Sequence, residues 1–333
     1  MQRILQIDYL KGLAIIFVIL IHTMTVKQLD FIGAPYYILQ AVPVFLFLFG
    51  YNTTHSYVIR GMNNLKSCYE RAYLTKRIKK ILVPYAYIWI LQLLVIIILK
   101  MPITKQDIIY NFIIGGWGPG GYFIPIILQL ILIIPLLYKA AQYNRYFMLI
   151  SSFIINMGFE LFSYYANISN SIYRVVAIRY LFIVALGVYL ALYEIKNRKI
   201  LFVGALFSLI YITSINYFGL NLPVFHAWKS QNAPSFVWPF VLVLVGLNKL
   251  PAYSRTFIGL VLAKIGQRSY HIFLFQSVFF IFLPNVTRHL KSYFSITLYF
   301  TIPVNILSCV FLGIAFYYCE NKISNFLNLY KQK

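Results

Sequence analysis

Uninterrupted apolar runs of roughly 18 to 25 residues recur along this chain, a length at which a helix crosses a hydrocarbon core about 30 Å thick. In lipid the backbone must satisfy its own hydrogen bonds, so only helices and closed barrels span a membrane. A barrel would show alternating segments of about ten residues, and these runs do not alternate. Of 333 residues, 61% are hydrophobic and 11% charged, so the expected fold is all-α, a polytopic transmembrane bundle. Ten spans are expected, at 9–26, 34–53, 81–99, 121–138, 146–166, 175–193, 200–218, 236–248, 269–286 and 295–318. They use the whole chain, without internal repeat, low-complexity tract or appended soluble domain, so residues 1–333 read as one membrane domain. The first run is read as a span and not a secretory leader, because it is too long, carries Lys11 and His22, and lacks a small-residue cleavage site.

The formal net charge of +22 would point to nucleic acid in a soluble protein, but here the positions of the charges decide. With the N-terminus inside, Arg3, Lys11 and the segments 54–80, 139–145, 194–199, 249–268 and 319–333 are cytoplasmic. They carry about 21 of the 29 lysines and arginines, as the positive-inside rule requires. Both termini are therefore expected in the cytoplasm, with lipid and not nucleic acid as the surroundings. Cys68, Cys309 and Cys319 show no CxxC or metal spacing and read as reduced packing residues.

Within the first span, IDYLKGLAIIFVILIH places His22 eleven residues after Lys11. On a helix that is about 16.5 Å of rise and roughly 20° of rotation, so the two share one face, and Asp8 lies near it. A charge at the bilayer centre costs at least about 2.5 kcal/mol, so this stripe is expected to face protein or a wet cavity and to be functional. Imidazole can deprotonate a hydroxyl near neutral pH or carry an acyl group, which makes His22 and, with it on the stripe, Asp8 the candidate catalytic residues.

Before the third span, RAYLTKRIKKILVPY concentrates Arg71, Lys76, Arg77, Lys79 and Lys80. Such a cluster is either a positive-inside anchor on anionic head groups or an anion site for a phosphorylated cytosolic ligand. Pro84 is expected to break the helix there and shape an entrance to the span. The glycine-rich GGWGPGGYFIP at 115–125 either shapes an external mouth or is an interfacial turn. Glu160 and Arg179 lie in or near spans, where each needs a partner or water. His271 reads as hydrogen-bonded structure, Glu320 as an ion pair with Lys322, and His55, His226 and His289 as loop residues without a chemical role. No HExxH or carboxylate cluster argues for a metal.

The order IDYLKGLAIIFVILIH, VPVFLFLFGY, KRIKKILVPY, GGYFIPIILQLILIIPLLY, IRYLFIVALGVYL, IGQRSYHIFLFQ, GIAFYYCEN resembles the acyltransferase 3 family of integral membrane acyltransferases over nearly the whole chain. The resemblance implies transfer of an acyl group, usually acetyl, from cytosolic acyl-CoA to a hydroxyl of a surface polysaccharide or lipid-linked glycan, in a bacterial cytoplasmic membrane. It implies acyl-CoA as a donor substrate, no permanently bound cofactor, and a homo-oligomer or envelope-synthesis proteins as possible associates. The family's first-span arginine is Lys11 here, its histidine is His22, its basic motif maps onto Arg77 and Lys80, and its serine-tyrosine pair onto Ser269 and Tyr270. Tyr122 stands where relatives often carry tryptophan. Lysine keeps the attraction for phosphate but lacks the planar fork of arginine. Tyr122, Arg179, Ser269, Tyr270 and Glu320 are expected to line or brace the same cavity. The rival reading is a flippase or exporter of a lipid-linked sugar, with the basic cluster on a diphosphate and His22 in a proton relay. The absence of an inverted repeat weighs against it.

Overall fold

A computed structural model describes residues 4–195, 197–224, 228, 230–252, 256–293 and 298–331, except the side chains of 284–293, 298, 299 and 327–331. Its helices are α1 (Leu5–Thr23), α2 (Val26–Phe31), α3 (Ala41–Ile59), α4 (Leu65–Cys68), α5 (Arg71–Ile98), α6 (Lys105–Ile114), α7 (Phe123–Tyr143), α8 (Arg145–Tyr165), α9 (Asn170–Tyr173), α10 (Leu181–Leu192), α11 (Arg198–Asn216), α12 (Val237–Lys249), α13 (Phe257–Gln267), α14 (Ser269–Tyr293) and α15 (Leu298–Lys331). No strand occurs among the described residues, so the fold is all-α as expected.

Each expected span coincides with a helix, but not all are long. Seven helical stretches among the described residues are long and apolar enough to cross a membrane, and four apolar ones are shorter. Two expectations change. The segment 249–268, read as a cytoplasmic connector, holds α13, which at about 1.5 Å per residue is too short to span. Pro84 does not end a helix: α5 runs through it, joining the basic cluster to the apolar span. Membrane helices tolerate such a proline because neighbouring groups take up the freed backbone.

The chain divides into two compact units, each assembled from separated stretches. Unit 1 comprises Met1–Thr25, Lys80–Ile124 and Ala252–Lys333. Here α1 lies along α13 at backbone contact distance. A Cβ on Gly12 would stand 2.5 Å from the Leu262 carbonyl, and one on Gly266 would land on the Asp8 carbonyl. Helix α14 approaches α15 in the same way, with Gly313 against the backbone of Ile272. Lipid is as apolar as leucine, so helices in a membrane associate through close packing of small residues and through polar contacts.

Unit 2 comprises Val26–Lys79 and Pro125–Pro251. Its centre is the α3/α10 pair, where Gly50 meets the Val184 carbonyl and Gly187 the Phe47 carbonyl. Helix α8 is the reverse of a soluble amphipathic helix. It buries Met148, Ser152, Asn156, Glu160 and Ser163 and exposes Phe147, Ile150, Ile154 and Phe162. The i, i+4 spacing puts the polar groups on one inward face and leaves the apolar face for lipid.

Candidate functional site

Helix α1 is unbroken from Leu5 to Thr23, so Asp8, Lys11 and His22 all stand on one rod in unit 1. Asp8 is buried in the first turn, where a carboxylate suits the positive end of the helix dipole. Lys11 follows one turn later, half-buried. The contact of Gly266 with Asp8 and Gly12 brings the α13–α14 corner against this end, and with it Arg268, buried Ser269 and Tyr270.

Tyr270 has a definite task. Proline at 84 has no N–H for the Lys80 carbonyl four residues back, and its ring disturbs the turn around it. The Tyr270 hydroxyl donates to the adjacent Ile81 carbonyl at 2.7 Å, capping the disturbed turn from α14. Tyr270→Phe is therefore expected to cost about 1 kcal/mol, read as a lower melting midpoint of the detergent-solubilised protein. An unchanged midpoint would mean that this carbonyl finds another donor.

At the same end His271 Nε2 lies 3.5 Å from Glu320, so the partner of Glu320 is this histidine and not the neighbouring Lys322. Lys80 and Arg268 both stand near His271, and Arg268 also donates to the Tyr318 hydroxyl at 3.1 Å. Lys80 is exposed and Lys11 half-buried, so this end of unit 1 gathers several cations around two carboxylates, Asp8 and Glu320.

His22 sits near the other end of α1, half-buried, its ring 5.7 Å from that of Phe280 on α14. Neither ring nitrogen has a hydrogen bond among the described residues. Next to it, Thr23 donates to the Ile19 carbonyl and accepts from Asn305 of α15. Asp8, fourteen residues away, is about 21 Å along the helix and does not reach the imidazole. The structure thus separates two residues that the sequence grouped, leaving Asp8 with the basic end.

Three residues before Phe280, α14 carries Ser277, and here the glycine-rich loop docks. The Gln92 amide donates to Ser277 Oγ at 2.7 Å, and its oxygen accepts from the Trp117 N–H at 3.1 Å. A Cβ on Gly118 would strike the Ser277 carbonyl, and Gly115 and Gly116 hold φ near +100°, open to glycine alone at little cost. The loop is therefore a fixed wall of unit 1, with Trp117 stacked on Trp89 and Tyr122 at its end leading into α7. Gln92, Gln276 and Ser277 were missed as site residues. Their signal in the sequence was polarity at buried positions of apolar helices.

The remaining candidates belong to unit 2. Arg77 lies one turn before Lys80 on α5. It donates to Thr53 Oγ1 at 2.6 Å and to the Tyr73 hydroxyl at 2.9 Å, with Phe49 and Tyr73 rings beside it. Its guanidinium is held in place and is not part of a loose basic tail. Arg179 is fully buried, with its Cζ 4.4 Å from the Tyr173 ring, 4.5 Å from Tyr180 and 4.3 Å from Trp228. Tyr173 in turn donates its hydroxyl to Glu160 at 2.7 Å. His55 stacks on Tyr51, while His226 and the His289 side chain lie outside the described residues.

A family model for acyltransferase 3, described as an acyltransferase domain, matches residues 4–319 and so runs through both units. No curated protein and no solved structure matches the chain.

Proposed function

The chain belongs to the acyltransferase 3 family and is a membrane acyltransferase, and from that premise we propose that it moves an acyl group, acetyl in the simplest case, from cytosolic acyl-CoA to a hydroxyl of a cell-surface polysaccharide or lipid-linked glycan. The observation that carries this reading is the layout of α1. A half-buried imidazole free of hydrogen bonds among the described residues stands about 16.5 Å along one helix from a cluster of cations, a span comparable with a pantetheine arm.

In this reading Lys11 and Lys80 hold the CoA phosphates, Arg77 extends the basic run one turn further along α5, and Ser269, Tyr270 and the His271–Glu320 pair brace the donor's end. The thioester reaches His22. Its neutral nitrogen takes the proton of the acceptor hydroxyl as the hydroxyl oxygen bonds to the thioester carbon. The C–S bond then breaks, and the proton passes to the departing CoA thiolate. In an acyl-imidazole variant the His22 nitrogen bonds to the thioester carbon first and CoA leaves as thiolate; the acceptor oxygen then displaces the imidazole from the acyl carbon, and the hydroxyl proton passes to the thiolate. Tyr122 and the glycine-rich wall exclude water around the reacting carbonyl, and the membrane is the bacterial cytoplasmic one.

The broad test is mass spectrometry of cell-surface glycans with and without the protein, in which an acyl mass shift is expected and unchanged glycans refute the reading. A narrower one concerns the donor. Lys80→Ala removes an exposed charge and is expected to weaken acetyl-CoA binding roughly threefold to fivefold. Arg77→Ala removes charge-assisted bonds and is expected to weaken it by about tenfold or more. Both deficits should shrink at high salt, where screening lowers wild-type affinity as well. Equal affinities for all three proteins in a calorimetric titration would take these residues out of the donor site.

A further inference from the structure

The polar face of α8 ends in a cluster that the route through His22 does not use. Arg179 is fully buried, yet among the described residues none of its three guanidinium nitrogens has a hydrogen-bond partner. Across the cluster the Tyr211 hydroxyl faces the Asn232 amide and the Glu160 carboxylate. Neither that hydroxyl nor either polar atom of the amide reaches hydrogen-bonding geometry. All of these residues lie in unit 2, as do the rings of Tyr173, Tyr180 and Trp228 around the guanidinium. Buried polar groups in native proteins are almost always satisfied, so several orphans in one place mark a position filled by something with complementary atoms.

The chemistry of the cluster, in which Glu160 already accepts from Tyr173, narrows what that is. Arg179 only donates, Glu160 as a carboxylate only accepts, and the Tyr211 hydroxyl and Asn232 amide do both. A bare anion would serve the guanidinium and be repelled by Glu160. A cation would do the reverse. A neutral ligand bearing several hydroxyls both donates and accepts, and Arg179 and Glu160 already balance each other's charge. Aromatic rings supply the flat apolar surface that the C–H face of a sugar ring needs. The cluster also has a side: it is built from the C-terminal half of α8, the segment leading into α10, the C-terminal half of α11 and the segment entering α12. With the basic connectors inside, that is the external end of these helices.

We infer that the Glu160–Arg179–Tyr211–Asn232 cluster is an external subsite for a neutral sugar residue of the acceptor glycan. It sets which glycan is acylated and takes no part in breaking the thioester. The inference rests on the glycan-acceptor reading above. It requires nothing of His22 beyond that reading.

Tyr211→Phe and Asn232→Leu test it, because among the described residues the atoms they remove make no hydrogen bond of good geometry, and what the folded protein loses is at most the loose approach of the two groups to each other. The assay is transfer of labelled acetyl from acetyl-CoA to the de-O-acylated glycan fraction of the same cells, using full-length protein in nanodiscs. Each variant is expected to raise KM for the glycan roughly tenfold or more, with KM for acetyl-CoA and the rate of acetyl-CoA hydrolysis unchanged. A wild-type glycan KM in both variants, alongside a higher melting midpoint, would show that the cluster holds water only and overturn the subsite while the acyltransferase reading stands. Equal loss of transfer and of acetyl-CoA hydrolysis would also overturn it, since a pure acceptor subsite leaves hydrolysis intact. If the wild type transfers nothing to that fraction, the glycan-acceptor reading falls and the subsite with it.

Discussion

His22→Ala is expected to abolish acyl transfer while leaving folded yield and acyl-CoA affinity close to wild type. The imidazole has no hydrogen bond among the described residues and packs its ring against Phe280, so its removal breaks no polar network. What is lost is chemistry. A positioned base supplies about 10² to 10⁴ in rate, and more if the acyl group passes through the ring nitrogen. The loss should fall on kcat and leave KM for the donor in place, the signature of a group whose interaction develops in the transition state. His22→Gln keeps a polar side chain of similar reach but takes no proton near neutral pH, and is expected to be as inactive. Transfer of labelled acetyl in nanodiscs reads both. A His22→Ala protein acylating its acceptor near the wild-type rate would mean that the imidazole only fills space, and the mechanism argued above would fail.

Much of this was legible because lipid imposes simple rules. Continuous apolar runs fixed the all-α class, and every expected span coincides with a helix. Lys11 and His22 could be placed on one face because helical periodicity is rigid. Legibility stopped where the answer depends on which helices meet. Helix α13 was hidden because Lys264 and Arg268 gave its segment the look of a basic connector, while the Gly12 and Gly266 contacts that dock it involve residues 250 or more positions apart. Pro84 was taken for a break because the hydroxyl that caps its turn comes from distant Tyr270. Asp8 was grouped with His22 by angle, and the length of α1 separates them. The polar face of α8 was in plain view as Ser152, Asn156, Glu160 and Ser163. In a chain read for apolar runs, isolated polar residues look like exceptions, whereas their spacing of three and four marks the side that packs on protein.

Gly266→Ala is expected to have the largest structural effect of any single methyl added to unit 1. The new Cβ would land on the Asp8 carbonyl and beside the Gly12 N–H, both backbone atoms that no rotamer change can move aside. Overpacking typically costs about 1 to 3 kcal/mol, and more where a backbone must shift. Here the shift would push the α13–α14 corner off α1 and carry Arg268, Ser269 and Tyr270 with it. The variant is expected to show a melting midpoint lower by several degrees and a weaker grip on acyl-CoA together, because the same contact that joins the two helices builds the basic end. Gly158→Ala is the control, since a Cβ there meets nothing within 4 Å. It should be neutral or slightly stabilising, as alanine is the better helix former. If Gly266→Ala behaves like Gly158→Ala in both melting and donor titration, α1 and α13 do not pack at backbone distance, and the placement of the α13–α14 corner against the Asp8 end of α1 loses its physical basis.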